Sequence, residues 1–129
     1  MRPPLWIEER DALLLHDRLL ALHGGATGVR DDALLQSALA RPRQISAYAE
    51  SPGIIDMAAA YTAGIVRNHP FIDGNKRTGF VVGILFLELN GYRFAASEED
   101  AAQAVLALAA GRLDEQGYAA FLRANASML

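Results

Sequence analysis

One short run of this chain carries a base, a carboxylate, an amide and two cations side by side: His69-Pro70-Phe71-Ile72-Asp73-Gly74-Asn75-Lys76-Arg77-Thr78-Gly79. Directly after it, Phe80 to Leu89 reads FVVGILFLEL, apolar except at Glu88. A helix apolar on nearly every face belongs in the middle of a domain, so a buried central helix is expected to start near Gly74. The first turn of a helix leaves backbone N–H groups unpaired and carries partial positive charge. Cations there are unfavourable by about 0.3–1 kcal/mol each, while anions are favoured. Lys76 and Arg77 sit at that disfavoured end. A bound anion relieves the conflict, and phosphate suits best because helix-start amides, a lysine and an arginine can all reach its oxygens. Gly74 lets the backbone come close.

Asp73 is well placed to cap the helix, a common structural use of aspartate. Beside a phosphate it has a second use, since magnesium takes only one or two protein carboxylates and shares phosphate oxygens. His69, four residues earlier, is either a structural histidine beside a proline or, within reach of a phosphate, a general base for an attacking hydroxyl, because imidazole titrates near neutrality. Zinc would need a further ligand, and His16 and His23 lie on the first helix without metal-type spacing. Phe71 reads as an apolar anchor for the loop, and Asn75 as a polar first-turn residue; both are supports.

The elements that position these residues read as helices. Leu5 to His23 carries leucines and charges at roughly the helical period and stops at Gly24-Gly25. Asp31 or Asp32 caps a short helix through Leu39, which Pro42 closes, leaving Arg41 to Tyr48 as a loop. Ser51-Pro52 opens a helix from about Ile54 to Arg67 that delivers the chain to His69. The central helix ends at Asn90-Gly91, and Tyr92 to Phe94 is at most a short extended piece, with no other strand signal. Ser97 to Asp100 resembles a capping box for a helix through Ala109, and Asp114 caps a last one reaching about Asn125. About six helices without strand alternation or repeats make the class all-α, a helical bundle.

Length and composition bound the function. With 129 residues and 52% hydrophobic content, the chain reads as one domain spanning 1–129 that can bury a core without staples. It has no cysteine, which rules out disulfides and thiolate metal sites and fits a reducing cytosol. The start, MRPPLWIEERD, lacks the layout of a secretory signal. The longest apolar run is far short of the ~20 residues that span a membrane. A cytoplasmic protein without a membrane partner is expected. With net charge −3 and scattered cations, no direct nucleic-acid binding is expected either.

HPFIDGNKRTG resembles the defining motif of the Fic/Doc superfamily in its death-on-curing branch. Similarity extends through LLLHDRLLALHGGATGVRDDALLQSALARPR, AAAYTAGIVRNHPFIDGNKRTGF and LFLELNGYRF. The resemblance implies a small all-helical fold with ATP and Mg2+ at the start of the central helix. It makes His69 the general base and Asp73 the magnesium ligand, and it assigns nucleotide contacts to Arg67, Gly74, Asn75, Lys76 and Arg77. Arg67 has a plain alternative as a solvated helix end.

Departures from the wider family bear on the reaction. AMP-transferring Fic enzymes resemble HPFxDGNGRxxR, whereas here Lys76 replaces the second glycine and Phe80 stands in place of the final arginine. A lysine fills space left for a phosphate, and Phe80 cannot pair with the terminal phosphate in the AMP-transfer orientation. The inverted orientation presents the γ-phosphoryl group to the acceptor. The resemblance then implies the toxin of a type II toxin–antitoxin system, a protein kinase acting on a threonine of elongation factor Tu to stop translation. Some death-on-curing kinases resemble DANKR with a later asparagine, where this chain has Gly74 and Val81. Ser46 to Ser51 resembles the family's inhibitory [ST]xxxE[GN] helix but fails at its last position, and Phe80 leaves Glu50 no partner. Silencing is expected from a separate, partly disordered antitoxin that folds into a groove. The rival expectations are AMP transfer to a protein hydroxyl and a non-catalytic Fic-fold binding protein.

Overall fold

Capping side chains mark where most of the helices begin. In the computed structural model, which describes residues 3–50 and 53–129, α1 spans Glu9–His23, and Asp11 Oδ2 accepts from the N–H of Glu8 at 2.8 Å. Asp31 opens α2 (Asp32–Tyr48) by accepting from Leu34 N–H. Gly53 precedes α3 (Ile54–Asn68), and the expected Ser51-Pro52 start lies outside the described residues. Then follow α4 (Asn75–Leu89), β1 (Tyr92–Phe94), α5 (Glu98–Ala109), α6 (Glu115–Asn125) and β2 (Ala126–Met128). Ser97 and Asp114 cap α5 and α6 through the N–H groups of Asp100 and Gly117. Six helices and one two-stranded ladder among the described residues make the fold all-α.

α2 corrects one expectation. It runs six residues past Pro42 to Tyr48, so Arg41 to Tyr48 is helix rather than loop. A proline inside a helix removes a backbone bond and costs about 3 kcal/mol. Here the buried residues are Leu35, Ala38, Leu39 and Pro42, a continuous i, i+3, i+4, i+7 face. That face packs on α3, where a Cβ added at Gly64 would lie 3.1 Å from Ala38 Cα and Cβ. Burial of the proline ring in this contact offsets the local penalty.

The most enclosed helix is α3, buried at every residue from Met57 to Val66. α4 shares the centre but buries one face only, through Asn75, Thr78, Gly79, Val82, Gly83, Phe86 and Leu87. The two cross closely at Gly79 and Gly83. Thr62 Oγ1 donates to Gly79 O at 2.7 Å, and a Cβ at Gly83 would strike Thr62 Oγ1 and sit 3.0 Å from Ala58 O. The other face of α4, with Phe80 and Ile84, looks towards β1 and α5 and stays half-buried. β2, which no strand signal announced, returns antiparallel to β1 with Tyr92 opposite Met128 and Phe94 opposite Ala126. No helix among the described residues is long and apolar enough to cross a membrane.

Candidate active site at the start of the fourth helix

The chain reverses between α3 and α4 through residues 69–74, bracketed by two left-handed residues. His69 has φ 54° and ψ 51°, and Gly74 has φ 78° and ψ 19°. A left-handed non-glycine residue costs roughly 1–2 kcal/mol and persists only where its surroundings hold it. Arg30 provides the hold: its Nε donates to His69 O at 2.7 Å and its Nη2 to Asn68 O at 2.9 Å. These carbonyls belong to the unpaired end of α3. Pro70 O accepts from the N–H groups of Arg30 and Asp31, and Ile72 N–H donates to Gly28 O. The segment before α2 is thereby stitched to the segment before α4.

Asn75 braces the turn from inside. It is 3% exposed, its Oδ1 accepts from Phe71 N–H at 2.9 Å, and its Nδ2 donates to Phe71 O at 2.9 Å. Those two bonds fix which end of the amide is nitrogen. The remaining Nδ2 hydrogen faces His69 Nδ1 at 3.1 Å, so Nδ1 accepts and the neutral ring carries its proton on Nε2. The Asn75 side chain is spent within the loop, so only its backbone N–H is free for a phosphate.

Asp73 does not cap α4 in the usual way. Its Oδ1 accepts from Gly74 N–H at 2.8 Å, while Oδ2 accepts from Ala26 N–H at 3.2 Å. The Ala26 bond and then the Gly74 bond hold this carboxyl below the usual carboxylate range, with His16 and Arg77 adding positive charge. It is an exposed, ionised carboxylate in a fixed position, with lone pairs to spare on both oxygens.

These groups line one end of a groove of about 610 Å3, with His69, Asp73, Gly74, Asn75, Lys76 and Arg77 on its polar side. The rest of the lining is apolar, with Phe80, Ile84 and Phe94 and with Ala101 and Val105 of α5, apart from Glu98 at the start of α5. Lys76 and Arg77 are exposed, and neither forms an ion pair or side-chain hydrogen bond among the described residues. Thr78 N–H makes the first bond to Gly74 O, which leaves the amides of Asn75, Lys76 and Arg77 without helical partners. The donor set fits a magnesium–phosphate group: one ionised carboxylate, three amides and two cations at one mouth.

A profile of the Fic/DOC family matches residues 6–87, which take in α1 to α3 and most of α4. The chain belongs to the Fic/DOC family. Over 77 residues it is 43% identical to Toxin Doc of Mycolicibacterium smegmatis, a match covering 57% of this chain and 57% of that protein's length. Over 93 residues it is 31% identical to Protein kinase doc of Escherichia phage P1, covering 72% and 74%. The profile reaches back to Trp6 and so includes the α1 and Gly28–Asp31 segments that meet the Fic/DOC motif in space.

Six of the seven sequence-derived site residues meet at the groove's polar end. Arg67 is exposed on the last turn of α3 and is not part of the lining. Single-sequence reasoning missed Arg30, Ala26 and the part played by His16, whose Nε2 meets Asp73 O at 2.8 Å. They lie 38 to 57 positions from their partners, and no local spacing signals such a bond. The His-Pro pair signals that α3 ends here but points to an extended His69, so its left-handed backbone at φ 54° had no local signal.

Proposed function

We propose that this protein is the toxin of a type II toxin–antitoxin pair, an ATP- and Mg2+-dependent phosphotransferase that moves the γ-phosphoryl group to a threonine hydroxyl of elongation factor Tu. The observation that carries the reading is the convergence, at one groove mouth, of the ionised Asp73, the free first-turn amides of α4 and the unpartnered Lys76 and Arg77. The names of the two relatives, a toxin and a protein kinase, support its two halves. Phe80 supports the choice of group: it packs edge-on to Phe94 on the groove wall, ring centroids 5.9 Å apart, and stands at the position of the final arginine in the HPFxDGNGRxxR pattern that AMP-transferring enzymes resemble. The apolar lining then suits the nucleoside, with the phosphates against α4.

Asp73 would hold Mg2+, which supplies charge neutralisation on the transferring phosphates. Lys76, Arg77 and the amides of residues 75–77 bind and orient those phosphates, with Arg67 as a further contact reached from outside the groove lining. His69 takes the proton of the attacking hydroxyl as the new O–P bond forms to the γ-phosphorus and the bond to the β-phosphate oxygen breaks, releasing ADP. In the resting tautomer its bare nitrogen is Nδ1, so the hydroxyl displaces the Asn75 amide, or the ring turns, before the proton moves. Silencing by a separate antitoxin accompanies this reading, and the compartment is the cytoplasm that holds the translation factor.

The test uses purified protein, elongation factor Tu and ATP labelled on either the γ- or the α-phosphate. Transfer of γ-label, lost with His69→Ala, is expected; transfer of α-label would replace the reading with AMP transfer. No transfer of either label, with toxicity equal in wild type and His69→Ala, would leave a non-catalytic binding protein.

A further inference from the structure

We propose that His16 is a positioning residue for the magnesium-binding edge of the site, acting through the peptide that joins Asp73 to Gly74; this rests on the phosphotransferase reading above. His16 lies on α1, far outside the motif, and is 2% exposed. Its ring lies flat on Phe71, centroids 3.9 Å apart and planes 10° from parallel. Its Nε2 is 2.8 Å from Asp73 O. A carbonyl only accepts, so Nε2 carries the proton and the imidazole acts as a fixed donor.

The bond matters because of what shares that peptide. The carbonyl of Asp73 and the N–H of Gly74 belong to one planar unit. Fixing the oxygen therefore fixes the direction of the N–H, and that N–H donates to Asp73 Oδ1 at 2.8 Å. The same peptide leads into Gly74, whose left-handed backbone aims the α4 amides. His16 thus sets both the carboxylate's rotamer and the start of the anion-binding turn, while touching no substrate itself. Phe71, fully buried beneath the ring, keeps the imidazole from turning away. Ala26 holds the second carboxylate oxygen, so the carboxylate is fixed from two sides by residues outside the motif.

Compare wild type with His16→Phe, which keeps an aromatic ring on Phe71 but has no donor, and with His16→Gln, which restores one. Calorimetry with ATP at varied Mg2+ reads the effect without turnover, and thermal melting reports the fold. Removing a group that orients a metal ligand shifts affinity about 10- to 100-fold. A rise of about tenfold in half-saturating Mg2+ is therefore expected for His16→Phe, with recovery to within about threefold in His16→Gln. A lowered melting temperature with unchanged Mg2+ dependence would overturn the inference and leave His16 as packing alone. Wild type that binds no Mg2+–ATP would overturn the phosphotransferase reading and the inference together. Should His16→Phe not fold, His16→Asn replaces it: its shorter amide falls short of Asp73 O, and affinity equal to that of His16→Gln would overturn the proposal.

Discussion

His69 shows how much of the site depends on residues that do no chemistry. Its left-handed backbone is unfavourable alone and is held by Arg30, whose guanidinium spans the last carbonyls of α3. Arg30→Ala removes both bonds and a cation from a helix C-terminus, at a cost of about 1–2 kcal/mol for an exposed group. The larger effect falls on catalysis, because displacing a base by about 1 Å costs up to about 100-fold. Arg30→Ala is expected to lose 10- to 100-fold in phosphoryl transfer, by about the rule above, with ATP affinity nearly unchanged. Steady-state kinetics beside ATP calorimetry check this, and an equal loss in both would show that Arg30 supports the whole groove. Asp73 has the same kind of support: the N–H groups of Ala26 and then Gly74 favour its ionised form, so it protonates only as pH falls through a value below the usual carboxylate range.

Between elements, the closest contact is the crossing of α3 and α4 at Gly79 and Gly83. Gly83→Ala would press a methyl group onto Thr62 Oγ1 and Ala58 O. Thr62 cannot turn away freely because its hydroxyl donates to Gly79 O. Overpacking of this kind costs about 1–3 kcal/mol, and a matching fall in chemical-denaturation stability is expected for Gly83→Ala. A stability equal to wild type would mean that α4 slides on α3 at little cost. The same crossing marks what the sequence could reveal. Helix starts at Asp31, Ser97 and Asp114 were legible, because a capping side chain and its N–H lie within three residues. Six of the seven candidate site residues come together for the same reason, since they lie in one short motif. The extension of α2 past Pro42 was not legible, since local proline chemistry opposes it and only packing on α3 decides. Nor was β2, whose three residues are too few to alternate and which pairs only because the chain returns after α6. The long run FVVGILFLEL pointed to full burial, yet Phe80 and Ile84 line the groove instead. Apolar character alone does not separate a core wall from a binding wall.

Across the whole molecule, an aromatic chain joins the groove to the far side of the core. Phe80 meets Phe94, Phe94 meets Phe121 at 6.0 Å, and Phe121 meets Tyr118 at 5.9 Å, all near edge-on or tilted. Tyr118 is fully buried on α6, its hydroxyl faces Thr62 without completing a hydrogen bond of good geometry among the described residues, and burial pushes its phenol up to about 12. An unfolded tyrosine titrates near about 10. The folded state therefore keeps a proton that the unfolded state gives up, and stability is complete below about pH 10 and falls as pH rises towards the folded value. Burial raises Tyr61 in the same direction, so part of the alkaline loss belongs to that residue. A shift of this size in Tyr118 corresponds to about 2–3 kcal/mol lost between about pH 10 and pH 12. Tyr118→Phe removes an unpaired buried hydroxyl at nearly constant volume, so stability at pH 7 should move by no more than about 1 kcal/mol, and upward if at all. Its denaturation midpoint should also fall less steeply from pH 9 to pH 11 than that of wild type. An identical alkaline slope in the two proteins would place the loss elsewhere.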